Sequence, residues 1–159
     1  MRTLKHFSTW QTSFLLLLST LIMALSLSAH AKGGVNTNAN GVAIKGYDPV
    51  AYFVSAKAQK GQAAFEHIHK GNKWHFANQQ NKQAFIANPS AYLPQYGGFC
   101  AFAASKNSIA PVDPKAWTIR DGKLYLNYSI SVREIWTPNI EENIKIADQN
   151  WPELKKTVQ

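Results

Sequence analysis

The sequence predicts an α+β fold, a small single domain in which two short β-hairpins pack on short helices and a C-terminal helix pair. Two turn signals flanked by alternating apolar and polar residues, Lys70-Gly71-Asn72 and Asp121-Gly122, indicate the hairpins. Apolar residues at helical spacing near the C-terminus indicate the helix pair. No internal repeat or linker divides the chain, so one hydrophobic core is expected.

The first 31 residues have the three parts of a cleavable export signal. Arg2 and Lys5 supply the positive charge, an apolar run of Phe and Leu follows, and Ala29-His30-Ala31 matches a cleavage motif of small residues. The apolar run is short for a bilayer span of about 20 residues. We therefore expect cleavage after Ala31, no transmembrane segment in the mature chain, and a periplasmic or secreted protein.

The mature chain has room for one domain and a basic surface. Cleavage after Ala31 would leave 128 of the 159 residues, and loss of Arg2 and Lys5 would leave 15 basic against 9 acidic residues, a net charge of +6. The lysines are scattered, whereas a nucleic-acid interface collects them with aromatic residues on one face. We therefore expect a monomer with no nucleic-acid partner.

The domain is expected to begin after a polar leader. Residues 32–40, rich in Gly and Asn, predict a disordered segment, so the folded domain would run from residue 41 to about 154. Val42 to Ile44 predicts a short strand. Asp48-Pro49 predicts a helical turn, with the aspartate as its N-cap and the proline at the first helical position.

The first hairpin and the helix after it follow from alternation and capping. Ala64 to His69 and Lys73 to Ala77 are expected to pair as antiparallel strands. Asn78 is a suitable N-cap for the next helix, which should end at Asn88-Pro89 because the residue before a proline avoids helical geometry.

The second half of the chain is also expected to contain short helices, a turn and a hairpin. Gly98 to Ser105 predicts a short helix, Asp113-Pro114 a capped turn, and Trp117 to Asn127 a second hairpin. Ser131 fits a capping box at the start of a helix, which restarts at Thr137-Pro138. The expected apolar stripe of the last helix consists of Ile140, Ile144, Ala147 and Trp151.

The only cysteine, Cys100, follows two glycines, Gly97 and Gly98. An exported protein with one thiol cannot form an internal disulfide, so Cys100 is either an inert packing residue or a thiol kept for redox chemistry, metal or a partner. In a helix that begins at Gly98, the thiol would lie in the first turn, where free N–H groups favour the thiolate. We therefore expect an accessible thiol, with the glycines allowing a substrate or partner to approach the backbone.

His67 and His69 form a pair on one face of a predicted strand. Neutral imidazoles suit copper, zinc or nickel, and Cys100 would supply a third, soft ligand. Copper is therefore the candidate metal, although His-x-His on a hairpin is also a common surface feature. His75 is expected to point outward from the other strand.

Seven segments between residues 41 and 152 have a specific order. They are Gly46–Phe53, Gly71–Ala77, Asn88–Tyr92, Pro94–Ala101, Asp113–Trp117, Asp121–Asn127 and Asn150–Pro152. In this order they resemble the YHS domain family, in its exported single-domain branch. The resemblance implies a compact fold built around a hairpin and a helix, and it implies a link to metals through cysteine ligands.

The chain departs from that family at all three ligand positions. Ala51, Ala77 and Asn81 stand where the resemblance would place cysteines, and none of them supplies a thiolate for Cu(I) or Zn(II). We therefore expect no tightly held structural zinc. Some proteins similar to this branch carry selenocysteine at the position of Cys100, which implies redox or soft-nucleophile chemistry there.

The leading hypothesis is an exported binding or accessory protein that uses Cys100 in thiol redox chemistry or in soft-metal (copper) handling. Because no second cysteine is present to resolve an oxidised one, a redox cycle would need an external thiol or redox partner. Mild oxidant should then give a Cys100–Cys100 dimer or a mixed disulfide. Two alternatives stay open, a thiol-dependent, peroxidase-like oxidoreductase and a structural interaction domain with an inert cysteine.

Overall fold

The computed structural model describes residues 33–158 and has the α+β architecture that the sequence predicts. Two antiparallel β-hairpins form two separate two-stranded sheets, and short helices and a long C-terminal helical element pack around them. The predicted export signal and its cleavage position after Ala31 lie outside the described residues.

The first hairpin pairs β1 (Gln62–His69) with β2 (Asn72–Phe76), and the second pairs β3 (Asp113–Arg120) with β4 (Lys123–Asn127). The turns between the strands are those predicted from the glycines, Lys70-Gly71 and Asp121-Gly122. Each hairpin contains one irregularity in register, between Gln62 and Glu66 and between Asp113 and Trp117.

Within residues 33–158, five α-helices precede, separate and follow the strands. They are α1 (Ala51–Val54), α2 (Gln79–Ala87), α3 (Ala101–Ser105), α4 (Ile130–Trp136) and α5 (Ile140–Lys156). A 3₁₀ turn, Thr137–Asn139, joins α4 to α5, so that the predicted helix pair forms one long C-terminal element. No helix in the described part of the chain has both the length and the apolarity to cross a bilayer.

Two clusters of buried side chains hold these elements together. The larger cluster lies under the first hairpin, where the rings of Trp74 and Phe76 pack against Phe85 of α2. The smaller cluster lies between α3 and α5 and contains Trp136 and Ala147. The predicted stripe of α5 faces this second cluster, because Ala147 is buried in it and Ile140, Ile144 and Trp151 pack against it.

One predicted helix cap is correct and another is displaced by two residues. Asn78 caps α2, since its Oδ1 accepts a hydrogen bond from Asn81 N at 2.8 Å. Ser131 does not cap α4. The cap is Ser129, which has extended backbone geometry and whose Oγ accepts from Val132 N at 3.2 Å. Because α4 begins at Ile130, Ser131 already lies inside its first turn.

The leader is ordered where the structure describes it, contrary to the prediction of disorder for residues 32–40. Asn36 N donates to Gly97 O and Asn36 O accepts from Ile44 N, both at 2.9 Å. Thr37 forms a β-bridge with Ala43. These backbone hydrogen bonds hold the segment against the domain, which composition alone does not reveal.

Two local predictions are wrong in element type. Val42 and Ala43 form isolated β-bridges instead of a strand, and Ile44 begins a 3₁₀ turn. Asp113-Pro114, predicted as a capped turn, begins the strand β3. Asp113 Oδ1 accepts from Lys115 N at 2.9 Å, so the aspartate stabilises a local turn at the strand irregularity.

Candidate thiol site

Cys100 lies at the junction between the double-glycine turn and α3. The helix begins at Ala101, and the Cys100 side chain acts as its cap, because Sγ accepts a hydrogen bond from Ala103 N at 3.4 Å. The Cys100 backbone N–H donates to Ala110 O at 3.0 Å. The predicted helix from Gly98 therefore starts three residues later, and the thiol precedes its first turn.

The thiol is buried, which contradicts the expectation of an accessible cysteine. Cys100 is 2% exposed and belongs to the larger core cluster with Trp74, Phe76 and Phe85. The helix that follows it has only five residues. The sulfur is therefore enclosed in the core, and the N-terminus of this short helix contributes one contact to it, from Ala103 N.

A buried asparagine at the end of β4 is the polar partner of the thiol. Asn127 is fully buried, and its Oδ1 accepts from Phe102 N at 3.2 Å and from the Cys100 thiol at 3.7 Å. Because a backbone N–H needs an acceptor, the contact with Phe102 fixes which end of the amide is oxygen. The other end, Nδ2, is buried and has no hydrogen-bond partner within residues 33–158.

The double glycine is approached by the protein's own leader, where the sequence analysis expected a substrate or partner. Gly97 has a positive φ of 59°, and a Cβ there would overlap with Gly34 O. Asn36 reaches across with its backbone N–H to Gly97 O and with its Nδ2 to Gly98 O, at 2.9 and 3.0 Å. Glycine is therefore required at residue 97 for close packing of the leader.

Two tyrosines flank this region as neutral phenols. Tyr96 donates from its hydroxyl to Asp148 Oδ1 at 2.9 Å, and burial, aided by this carboxylate, raises its pKa far above the usual range. Burial, with a contribution from Asp148, raises the pKa of Tyr125 to about 12. Neither phenol is an ionised base at neutral pH.

The two candidate metal-binding histidines lie side by side, as predicted, and both pack against the aromatic ring of Phe85. The imidazoles of His67 and His69 make edge contacts with Phe85, at 6.3 and 5.6 Å between ring centres. Burial, followed by the charge of Lys70 and the neighbouring His67, lowers the pKa of His69. This shift keeps His69 neutral at neutral pH, the form in which imidazole binds metals.

No group of three His, Cys, Asp or Glu side chains in the described part of the chain has the spacing of a metal site. Cys100 makes its polar contacts with Asn127 and the α3 backbone, while His67 and His69 contact Phe85. A copper role for these three residues stays a prediction. His75 points away from the pair, as predicted, and its Nε2 lies 3.1 Å from Glu66 Oε2.

The three positions at which the YHS resemblance would place cysteines come together around one carboxylate. Asp48 is fully buried, and its Oδ1 accepts from Val50 N at 2.8 Å and Ala51 N at 3.3 Å. Its Oδ2 accepts from Ala77 N at 2.8 Å and from Asn81 Nδ2 at 2.6 Å. Four N–H donors thus surround a buried carboxylate where α1, β2 and α2 meet.

Sequence reasoning missed Asn127 as a partner of the thiol. A signal was present, because Asn127 ends the apolar run of Leu124, Tyr125 and Leu126, and a polar residue there needs a hydrogen-bond partner inside the core. The pairing itself depends on the β-bridge between Cys100 and Leu126, which joins chain segments distant in sequence.

No family model, curated protein or solved structure matches this chain.

Proposed function

We propose that this chain is an exported YHS-type domain whose function is reversible thiol redox chemistry at Cys100. The thiol reacts with a small oxidant and is returned to its reduced form by an external thiol. The observation that carries the proposal is the buried Asn127 amide beside the sulfur, whose NH₂ group has no hydrogen-bond partner among residues 33–158.

An inert packing cysteine has no need of such a neighbour. A buried polar group without a partner costs about 1–3 kcal/mol. A leucine of similar volume at residue 127 would avoid the cost of the unpaired NH₂ group. It would also remove the acceptor of the Phe102 N–H group. The amide faces the sulfur with its Oδ1, so Nδ2 would have to turn toward Cys100 to stabilise a negatively charged oxygen there, the group that oxidation to sulfenate creates.

The burial of Cys100 restricts the reagents that can reach it. At 2% exposure, the sulfur is reached only when the surrounding chain opens locally. The preceding turn, Gln95–Gly98, is the adjacent segment whose opening would uncover the sulfur, and this opening has to break the contacts of Tyr96 with Asp148 and of the two glycines with Asn36. Peroxide and small thiols fit such an opening, whereas a second folded copy does not.

The proposed cycle balances without a second cysteine. The Cys100 thiolate attacks peroxide, an S–O bond forms, the O–O bond breaks, and the departing hydroxide takes up a proton to become water. An external thiol then attacks the sulfenic sulfur, releasing water and forming a mixed disulfide. A second external thiol attacks the external sulfur of that mixed disulfide. The two external thiols leave as their own disulfide, and Cys100 returns to the thiol form.

The assignment to the YHS type is supported by the surroundings of Asp48. The resemblance implies that three positions distant in sequence form one ligand site. These positions are Ala51, Ala77 and Asn81. All three donate a hydrogen bond to the same carboxylate. This convergence fits a domain in which hydrogen bonds to Asp48 replace a metal centre.

The experiment that tests the function is trapping of sulfenic acid with mass detection. The wild-type protein, treated with one equivalent of hydrogen peroxide and dimedone, should gain one adduct on Cys100. Asn127→Leu should oxidise at least about tenfold more slowly, the effect of losing one hydrogen bond to a charged oxygen. Asn143→Leu is the matched control, because Asn143 is also a buried asparagine but contacts Ser105 and Trp136.

Absence of an adduct in the folded wild type, or equal oxidation rates in both asparagine variants, would reject the redox proposal. The sulfenic acid should also accept 2-mercaptoethanol and be reduced by excess reagent. Direct formation of sulfinic acid without a thiol adduct would contradict the proposed cycle.

A structural interaction domain with an inert cysteine is the second candidate. The observation in its favour is the capping contact of Cys100 Sγ with Ala103 N, together with the burial of the side chain. On this account Cys100→Ser preserves the cap and the fold, and the native thiol reacts only after global unfolding.

A further inference from the structure

A cleft of about 180 Å³ opens on the side of the domain where the leader, the first hairpin and α5 meet. Apolar side chains form its walls, namely Trp74 from β2, Leu93 and Pro94 from the following loop, and Trp151 from α5. The backbone of the leader and of Gly97 completes the wall. Cys100 does not line this cleft, so the cleft is separate from the thiol site.

The charged residues that line the cleft are both lysines. Lys70 lies in the turn of the first hairpin and Lys155 near the end of α5, and both are exposed. Neither ammonium group forms an ion pair with a residue of the described chain, although Lys145 and Lys156 do so on the same helix. The cleft therefore combines apolar walls with two uncompensated positive charges.

Trp74 forms a rigid part of this wall. The side chain is 1% exposed, and its Nε1 has no hydrogen-bond partner within residues 33–158. The indole packs against Phe85, which holds the ring in place. The indole ring therefore presents a fixed apolar surface, and the polar recognition falls to the two lysines at the rim.

We propose that this cleft binds a small organic anion, a single aromatic or aliphatic ring that carries a carboxylate. A dry cavity of about 150 Å³ accommodates benzene, so the cleft matches one ring with a small substituent. The ring packs between the apolar walls, and the carboxylate lies at the rim near Lys70 and Lys155. The leader holds the ligand from one side, since Gly34 packs against the Lys155 side chain.

Titration with benzoate tests this proposal. Binding should be saturable and should shift the indole N–H resonances of Trp74 and Trp151 more than those of Trp117 and Trp136. Benzamide, of equal shape but without charge, should bind at least about fivefold more weakly, as expected for loss of attraction to two exposed charges. Inorganic phosphate, which has charge but no ring, should compete poorly.

Paired variants separate the two lysines from the overall charge of the protein. The double variant Lys70→Gln/Lys155→Gln should weaken benzoate binding at least about fivefold and leave benzamide binding unchanged. Lys57→Gln/Lys123→Gln removes the same charge from exposed positions that do not line the cleft, and should change neither.

Three results of the benzoate titrations would overturn the proposal, and a fourth comes from competition by phosphate. The three are absence of saturable binding, equal affinity for benzoate and benzamide, and equal loss of affinity in the two double variants. Strong competition by phosphate would likewise contradict the role of the apolar walls. Cys100→Ser should bind benzoate like the wild type, so failure here is distinguishable from failure of the thiol proposal.

Discussion

At the scale of single residues, the Asp48 carboxylate is the most densely hydrogen-bonded group that we find. It is fully buried and accepts from three backbone N–H groups and the Asn81 amide. Hydrogen bonds to a carboxylate are stronger than neutral ones, and here they connect α1, β2 and α2. Both oxygens of Asp48 accept hydrogen bonds from within the domain, so Asp48 stabilises the fold.

Asp48→Asn should consequently lower the free energy of unfolding by about 2–4 kcal/mol. The amide keeps one acceptor but turns an NH₂ group toward N–H donors that then lack a partner. Asp113→Asn is the control, because Asp113 accepts a single hydrogen bond, from Lys115 N, and is only half-buried. Urea denaturation of both variants measures the difference, and equal losses would contradict the central role of Asp48.

His69 provides a prediction about pH. Burial, followed by Lys70 and His67, lowers the pKa of His69 in the folded protein from the ordinary value of 6.5. The unfolded chain therefore binds a proton at a higher pH than the folded protein, so stability falls as the pH falls below about 6.5.

His69→Asn should reduce the slope of unfolding free energy against pH between about pH 7 and pH 5. Lys70→Gln should reduce it in part, because that ammonium is one cause of the lowered pKa. Urea titrations at several pH values measure the slope, and an unchanged slope in His69→Asn would show that other groups account for it.

The thiol shows what a sequence reveals about a single residue and what it does not. The position of Cys100 beside a short helix was predictable from the glycines before it and the apolar run after it. Its burial and its contact with Asn127 were not, because both arise from packing of α3 against β4, elements paired through a bridge between Cys100 and Leu126.

At the scale of elements, the leader and the double-glycine turn form one unit. Asn36 bonds to both glycine carbonyls, and Gly34 O lies where a side chain at Gly97 would be. The glycines were recognised in the sequence as a place of close approach. The identity of the approaching segment was not, since composition alone favours disorder for a Gly- and Asn-rich leader.

Gly97→Ala should therefore displace the leader and cost at least about 2–3 kcal/mol, from positive φ together with steric overlap. Gly122→Ala is the matched control, because Gly122 also has positive φ, 69°, but a Cβ there meets nothing within 4 Å. It should cost only about 1–2 kcal/mol. Thermal denaturation and hydrogen exchange of Asn36 N–H measure these effects, and unchanged protection of Asn36 in Gly97→Ala would contradict the packing account.

The start of α4 gives a second prediction for an element. Ser129→Ala should cost about 1 kcal/mol, because it removes the acceptor for Val132 N. Ser131→Ala should change stability by less than about 0.5 kcal/mol, since Ser131 lies exposed in the first turn. Chemical denaturation measures the loss of stability in each variant. A larger loss in Ser131→Ala than in Ser129→Ala would support Ser131 as the N-cap, as the sequence predicted.

At the scale of the whole molecule, local signals predict most elements but not their assembly. Both hairpins, the cap of α2 and the stripe of α5 follow from alternation, turn glycines and helical spacing. The division of the core into two clusters does not, because the smaller cluster depends on α3 packing against α5 and contains Tyr96 and Tyr125 from distant segments. Such contacts between distant segments leave no periodic trace in the sequence.

The same contacts decide how the thiol can react. Because Cys100 lies within the core, a dimer through Cys100 requires large exposure of the core, whereas a small-thiol adduct needs only local opening. Oxidation in the presence of 2-mercaptoethanol should thus give a monomer with one adduct, absent in Cys100→Ser. A disulfide dimer as the main product on non-reducing electrophoresis would contradict this restricted access.

The most direct test of the central claim is the rate of Cys100 modification by methyl methanethiosulfonate at increasing, subdenaturing urea. A thiol reached by local opening reacts at a rate that is nearly independent of urea, and the account predicts this result at low urea concentrations. A thiol reached only by global unfolding reacts at a rate that rises with the full equilibrium slope from the lowest urea concentration onward. That second result would contradict a redox function for Cys100 and favour the inert structural cysteine.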